Sequence, residues 1–173
     1  MIKDPHSASR QGLALADNLT LVEHNSLGSW DVFLSLFSCL TKGPPVHIVL
    51  LQDPPSSKDF LPCFAGFKPF APPVSRPKVA CYISQNVLQS LSVLPVFFPE
   101  SKYFMALDMY TPQGCLRSTF PRFRLGNVYA MPINHPNHSV SPETACFNYN
   151  LLYLVAGDFN IYNPPVDPFR VLG

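Results

Sequence analysis

Proline constrains this chain more than any other residue. It occurs 20 times in 173 residues, more than twice the roughly 5% typical of proteins. It also recurs in pairs: Pro44-Pro45, Pro54-Pro55, Pro72-Pro73 and Pro164-Pro165. Each proline fixes φ and removes a backbone donor, so the pairs mark loops and strand ends and leave short extended pieces between them. That spacing argues against a helical bundle. The pieces still hold the material for a core, since 47% of residues are hydrophobic and only 13% charged. Such a composition excludes disorder over most of the length. A net charge of +1 excludes a polybasic or an acidic tail. The longest apolar run, residues 46–51, is strand-sized and far short of the ~18 residues that cross a bilayer, so no membrane partner is expected. The first twelve residues have no apolar centre and do not read as a secretory signal.

Five cysteines, at 39, 63, 81, 115 and 146, are an odd number at wide spacing without a CxxC pair. They suggest neither a zinc site nor a disulfide framework, and each reads as a small buried hydrophobe in a reducing, intracellular setting. Residues 1–18 are polar and aperiodic and read as a loose tail. Strands are predicted at 19–24, 46–51, 78–84, 103–111, 123–131 and 151–156. A helix is predicted from Trp30 to Leu40, with Ser29 as its cap, Trp30, Phe33, Leu34, Phe37 and Leu40 on its core face, and Gly43-Pro44 as its stop. Residues 86–94 read as a helical turn or two, and a further short helix is predicted from Ser141. Mixed strands with helical cover place the chain in the α/β (α+β) class.

Three predicted strands finish on polar side chains: Asn25, then Asp53, then Asp158 with Asn160. Ligand sites form at the rim where strand ends meet loops. Carboxylates at the ends of buried strands are costly to desolvate alone, and a shared hard cation such as Mg²⁺ removes that cost. In Asp158-Phe159-Asn160 the polar residues lie two apart, so on an extended segment a base and a neutral amide donor share one side.

These stretches, VHIVLLQD and much later YLVAGDFN, resemble the endonuclease/exonuclease/phosphatase family. Its members include apurinic-site endonucleases and the endonuclease domains of non-LTR retrotransposons. Asn25 matches the family's early Asn, Gln52-Asp53 approximates its Gln-Glu, Tyr129 matches its mid-strand Tyr, and Gly157-Asp158-Phe159-Asn160 matches its Gly-Asp-x-Asn. The tone of LQDPP and the Pro-rich loops is similar to endonuclease-like domains of fungal retroelements. The resemblance runs from about Leu19 to the end and implies a two-sheet sandwich with outer helices. It implies Mg²⁺ held by Asp53 and Asp158, with Asn25 ordering the same network. Asp158 would also orient and deprotonate the attacking water, and Asn160 and Tyr129 would donate to phosphate oxygens. The implied reaction is hydrolysis of a nucleic-acid phosphodiester, with DNA as partner and a nuclear location conceivable only on this resemblance.

Two departures qualify it. Asp53 is one methylene shorter than the family's Glu. No match to the family's closing Ser-Asp-His follows Asn160, so residues 19–173 read as an incomplete domain whose second sheet lacks strands and whose activity is impaired. The rival reading is a non-catalytic retroelement remnant that at most binds nucleic acid or a partner. Oligomeric state is not legible in the sequence. Taken singly, Asp53 could cap a turn, Asp158 and Asn160 could form an Asx turn closing the strand, Asn25 could be a turn residue before the helix, and Tyr129 could be a packed ring with its hydroxyl at the surface. His135 and His138 lack a third ligand and read as solvated loop residues. Arg76, Lys78, Arg117, Arg122 and Arg124 read as a solvated face, with phosphate contact as the functional alternative. Trp30, Phe33 and Phe37 read as core and not as a base-stacking platform.

Overall fold

Strand β2 (Ile48–Gln52) is apolar on both sides, and every one of its residues is buried. A strand of that kind needs cover on both faces, and the fold is built around supplying it. The computed structural model describes residues 19–56, 61–96, 101–110, 122–130 and 152–158. The expected tail, the helix from Ser141, Asn160, His135, His138, Arg117, Cys115 and Cys146 all lie outside the described residues. Around β2 stand β1 (Leu21–Asn25), α1 (Trp30–Lys42), β3 (Phe67–Phe70), β4 (Val79–Ser84) and α2 (Gln85–Ser90). The chain continues with β5 (Ser92–Val96), β6 (Phe104–Tyr110), β7 (Arg122–Tyr129) and β8 (Leu152–Asp158).

The strands form two mixed sheets of four, ordered β1-β2-β4-β3 and β5-β6-β7-β8. In each sheet one pair is parallel, β1 with β2 and β7 with β8, and the other pairings are antiparallel. The sheets pack face to face, β2 and β4 lying across β7, and β1 across β8. This is the α/β sandwich expected from the sequence.

Side-chain alternation assigns each half of β2 and β4 to a layer. Ile48, Leu50, Val79, Cys81 and Ile83 face the second sheet, where Met105, Leu107, Met109 and Leu125 meet them. Val49, Leu51, Ala80 and Tyr82 face outward onto Phe33 and Phe37 of α1. The Phe37 ring lies 4.6 Å from Phe33 and 5.1 Å from Tyr82, centroid to centroid, and the Tyr82 hydroxyl donates to the Pro62 carbonyl at 2.8 Å.

Helix α1 begins as predicted, the Ser29 hydroxyl accepting from Val32 N, with Asp31 in the first turn and Lys42 in the last. Its core face is narrower than the sequence pattern suggested. Phe33, Leu36, Phe37 and Leu40 pack inward, whereas Trp30 and Leu34 are 49% and 55% exposed. The pattern 33, 36, 37, 40 centres the stripe, and 30 and 34 lie rotated off one side of it. Gly43 follows the last turn and its N–H donates to the Cys39 carbonyl, but its backbone is extended and not left-handed. Cys39 and Cys63 are exposed, against the expectation that every cysteine is buried; Cys81 is buried.

Two strands went unread in the sequence, and both contain proline: Pro69 in β3 and Pro95 in β5. Both are edge strands, where the missing donor can face away from the ladder. Residues 86–94 accordingly do not stay helical. α2 stops at Ser90 and the chain extends at once into β5. Among the cations expected on a solvated face, Arg76 is exposed but the reading of Arg124 is corrected. Arg124 makes a two-point pair with Asp108, Nε to Oδ1 at 2.5 Å and Nη2 to Oδ2 at 2.9 Å, on a side chain that is mostly buried.

Burial in β4 carries a pH signature. Desolvation raises the Cys81 thiol from its ordinary 9.0 to about 12, a hydrogen bond from Asn127 opposing it. Desolvation likewise raises the Tyr82 phenol. The unfolded chain therefore ionises first, so this stability is present below about pH 9 and is lost as pH rises through the folded values. Urea unfolding at pH 8 and pH 10 should show stability falling with pH above about 9, by up to about 1.4 kcal/mol per unit from Cys81. Cys81→Ala should flatten that slope.

Candidate functional site

The two parallel pairs end at the same rim of the sandwich. Asn25 closes β1, Asp53 follows β2, Tyr129 closes β7 and Asp158 closes β8. Because β4 and β6 run antiparallel to their neighbours, they start at that rim, and the residues before them, Lys78 and Tyr103, join it. Four of the five site residues predicted from sequence are thus brought together. The fifth, Asn160, lies outside the described residues.

Asn25 bridges the sheets. Its Nδ2 donates to Asp158 Oδ2 at 2.6 Å, and its Oδ1 accepts from Leu27 N at 2.9 Å. Both ends of the amide are engaged, so the orientation of the Asp158 carboxylate is fixed from the opposite sheet. Asp158 pairs with Tyr129 in the β7–β8 ladder, and its carbonyl accepts from Ala130 N at 2.7 Å. The residue before it must be glycine. Gly157 has φ +150°, and a Cβ there would lie 2.0 Å from the Val128 carbonyl oxygen.

Asp53 sits at φ +44°, a left-handed conformation that few non-glycine residues adopt. Its N–H donates to the Lys78 carbonyl at 2.8 Å, and its own carbonyl accepts from Gly28 N at 2.7 Å and from the Ser26 hydroxyl at 2.7 Å. The turn after β1 therefore clamps the turn after β2. Gly28, at φ +67°, lies beside the Asp53 carboxylate, where a Cβ would make ordinary contact with its oxygens at 3.9 and 4.0 Å. The Lys78 ammonium lies 2.5 Å from Asp53 Oδ1 and 5.9 Å from the centroid of the Tyr129 ring. Tyr103 stacks on Tyr129 at 6.5 Å.

Tyr129 reports on the whole cluster. Desolvation raises its hydroxyl above the ordinary value, the negative charge of Asp53 adds to this, Lys78 opposes it, and Asp158 and Tyr103 add further. Both carboxylates therefore act on one hydroxyl, which stays protonated and able to donate.

Beneath the rim lies an amide pair the sequence reasoning missed in part. Gln52 Nε2 donates to Asn127 Oδ1 at 2.7 Å, joining β2 to β7. Asn127 Nδ2 donates in turn to the carbonyls of Ala80 at 2.8 Å and Leu51 at 3.2 Å. Both side chains are fully buried. An amide within the apolar strand FRLGNVYAM was the signal available for Asn127. For Lys78 there was none short of the topology, because only the antiparallel start of β4 brings it to the rim and off the solvated face to which it was assigned.

Comparison with solved structures identifies a relative in shape. The chain is similar to the endonuclease domain of TRAS1, a telomere-specific non-LTR retrotransposon, with TM-score 0.57 and 14% sequence identity over 82% of this chain and 60% of that one. The fold is endonuclease-like. At that identity the likeness is one of fold alone, and this chain spans 60% of the length of the retrotransposon domain. No protein-family model matches the sequence, and no curated protein does.

Among the described residues no group of three or more His, Cys, Asp and Glu side chains is arranged to hold a metal ion. The rim offers two carboxylates, which is the donor number Mg²⁺ commonly takes from protein when waters and phosphate oxygens complete its shell. Asp53 Oδ2 makes no hydrogen bond among the described residues, while Oδ1 is shared with Lys78.

Two substitutions test this architecture by urea denaturation. Gly157→Ala should lose about 3 kcal/mol or more, because the strand backbones cannot part without breaking the β7–β8 ladder. Asn127→Leu should lose about 2–3 kcal/mol by leaving the Gln52 amide and two strand carbonyls without their partner.

Proposed function

We propose that this chain is a Mg²⁺-dependent phosphodiesterase domain of the endonuclease type, acting on nucleic acid with DNA as its substrate. The observation that carries this reading is the Asn25–Asp158 hydrogen bond, which joins the ends of two sheets at a rim where Asp53 and Asp158 both act on the Tyr129 hydroxyl. The fold likeness to a retrotransposon endonuclease domain supports it.

Asp53 and Asp158 are the residues that would hold Mg²⁺. When bound, the ion supplies Lewis-acid stabilisation of the phosphoryl and leaving oxygens. The chain's own groups do the rest. Asp158, its rotamer fixed by Asn25, orients the attacking water and accepts its proton. Tyr129 remains protonated and donates to a non-bridging phosphate oxygen. Asn160, two residues beyond Asp158, is assigned as the second donor from its place in the Gly-Asp-x-Asn sequence. Water attacks phosphorus and the leaving oxygen departs in line, so a phosphodiester becomes a phosphomonoester and an alcohol.

A second reading, nucleic-acid binding without cleavage, draws on the Lys78–Asp53 ion pair, which occupies one oxygen of a proposed metal ligand. Nicking of supercoiled plasmid separates the two. Cleavage should require Mg²⁺, stop with EDTA, and fall about 10²–10⁴-fold in Asp158→Ala. Equal nicking by wild type and Asp158→Ala overturns the catalytic reading.

A further inference from the structure

Lys78 is a rim residue to which the proposed chemistry gives no role, yet its position is tightly determined. Its N–H donates to the Lys102 carbonyl at 2.7 Å and its carbonyl accepts from Asp53 N at 2.8 Å. The backbone thereby holds the start of its side chain at the rim, and the ammonium reaches Asp53 Oδ1 at 2.5 Å. Lys78 is 32% and Asp53 21% exposed, so the pair is shielded enough to matter and open enough to exchange.

Charge counting shows what exchange would do. Asp53 and Asp158 bring two negative charges and Lys78 one positive, leaving the cluster at a net −1 that repels a phosphodiester. A divalent cation turns that to +1, which attracts one; it meets the Lys78 charge even at the unengaged Oδ2, and to take both oxygens of Asp53 it must displace the ammonium from Oδ1. The displaced ammonium then stands on the same rim, beside Tyr129, with a free charge and three donors. Lys102 lies one ring further out, 5.1 Å from the Tyr103 centroid, and extends the cationic edge without touching either carboxylate.

We infer, resting on the function proposed above, that Lys78 is the resident counter-ion of Asp53: it competes with a divalent cation for that carboxylate and, once displaced, becomes a contact for a backbone phosphate of the nucleic acid. The two halves have opposite consequences for one substitution. Removing the ammonium strengthens metal binding and weakens binding of the phosphate chain.

Titration calorimetry with Mn²⁺ alone tests the first half on the full chain. Lys78→Met should bind Mn²⁺ about three- to ten-fold more tightly than wild type, while Lys78→Arg and Lys102→Met should match wild type. Should Lys78→Met melt early, Lys78→Gln keeps a polar group beside Asp53 and gives the same direction. Fluorescence anisotropy of a labelled duplex in saturating Mn²⁺, read before turnover, tests the second half. Lys78→Met should bind several-fold more weakly, with a salt slope shallower by about one.

Mn²⁺ binding that is lost in Asp158→Asn but unchanged or weaker in Lys78→Met overturns this inference and leaves the proposed function standing. Mn²⁺ binding by neither wild type nor Lys78→Met overturns both. Tighter Mn²⁺ binding with unaltered duplex affinity overturns the phosphate half.

Discussion

Two buried amides set the relation between the sheets. An apolar interface between sheets tolerates sliding, because hydrophobic contact has no direction. The Gln52–Asn127 hydrogen bond, with Asn127 also tied to the Leu51 and Ala80 carbonyls, does not. In a dry interior an unmade polar contact costs the full desolvation of its groups, so a shifted register that broke these three hydrogen bonds is disfavoured. The observed register brings the ends of β1 and β2 opposite the ends of β7 and β8. Asn25 then reaches Asp158 across the sandwich, and Asp53 and Tyr129 share one electrostatic environment.

Four of the six described residues with positive φ lie at the rim, Arg76 and Gly66 being the others. Asp53 takes a left-handed conformation, as do Leu27 and Gly28 in the facing turn, and Gly157 approaches Val128 more closely than any side chain would allow. Each is held by hydrogen bonds that fix the residue beside it: Gly28 N and Ser26 on the Asp53 carbonyl, Ala130 N on the Asp158 carbonyl. Strain gathered at one edge while the core strands remain regular is the pattern of a preorganised site. The carboxylates are positioned before any ligand arrives.

Much of this was legible in the sequence, for reasons that differ by element. A run apolar on both faces announced β2, because a strand covered by a sheet and a helix has no polar side. Ser29 announced the start of α1 through its hydroxyl. Asn25, Asp53, Tyr129 and Asp158 were legible as polar punctuation after apolar strands, and their order in the chain matched a known pattern. Other features depended on pairing that no local pattern encodes. β3 and β5 hid behind Pro69 and Pro95 because edge strands tolerate what central ones cannot. Arg124 looked like a solvated cation until its register with Asp108 was known, and Lys78 until β4 was seen to run against β2. The exposure of Trp30 and Leu34 follows from the exact centre of the α1 stripe, which spacing alone blurs.

The placement of Pro69 and Pro95 also divides the borders of the molecule unequally. Among the described residues each sheet has one margin interrupted by proline, β3 and β5, and one that is not, β1 and β8. A proline-broken margin is a poor template for a neighbouring strand, whereas an unbroken one offers its full row of donors and acceptors. Growth of either sheet, by more polypeptide or by another chain, is therefore steered to the flank that carries Asn25 and Asp158. A strand added on that flank would stand as a wall beside the rim, on the side away from Pro69 and Pro95.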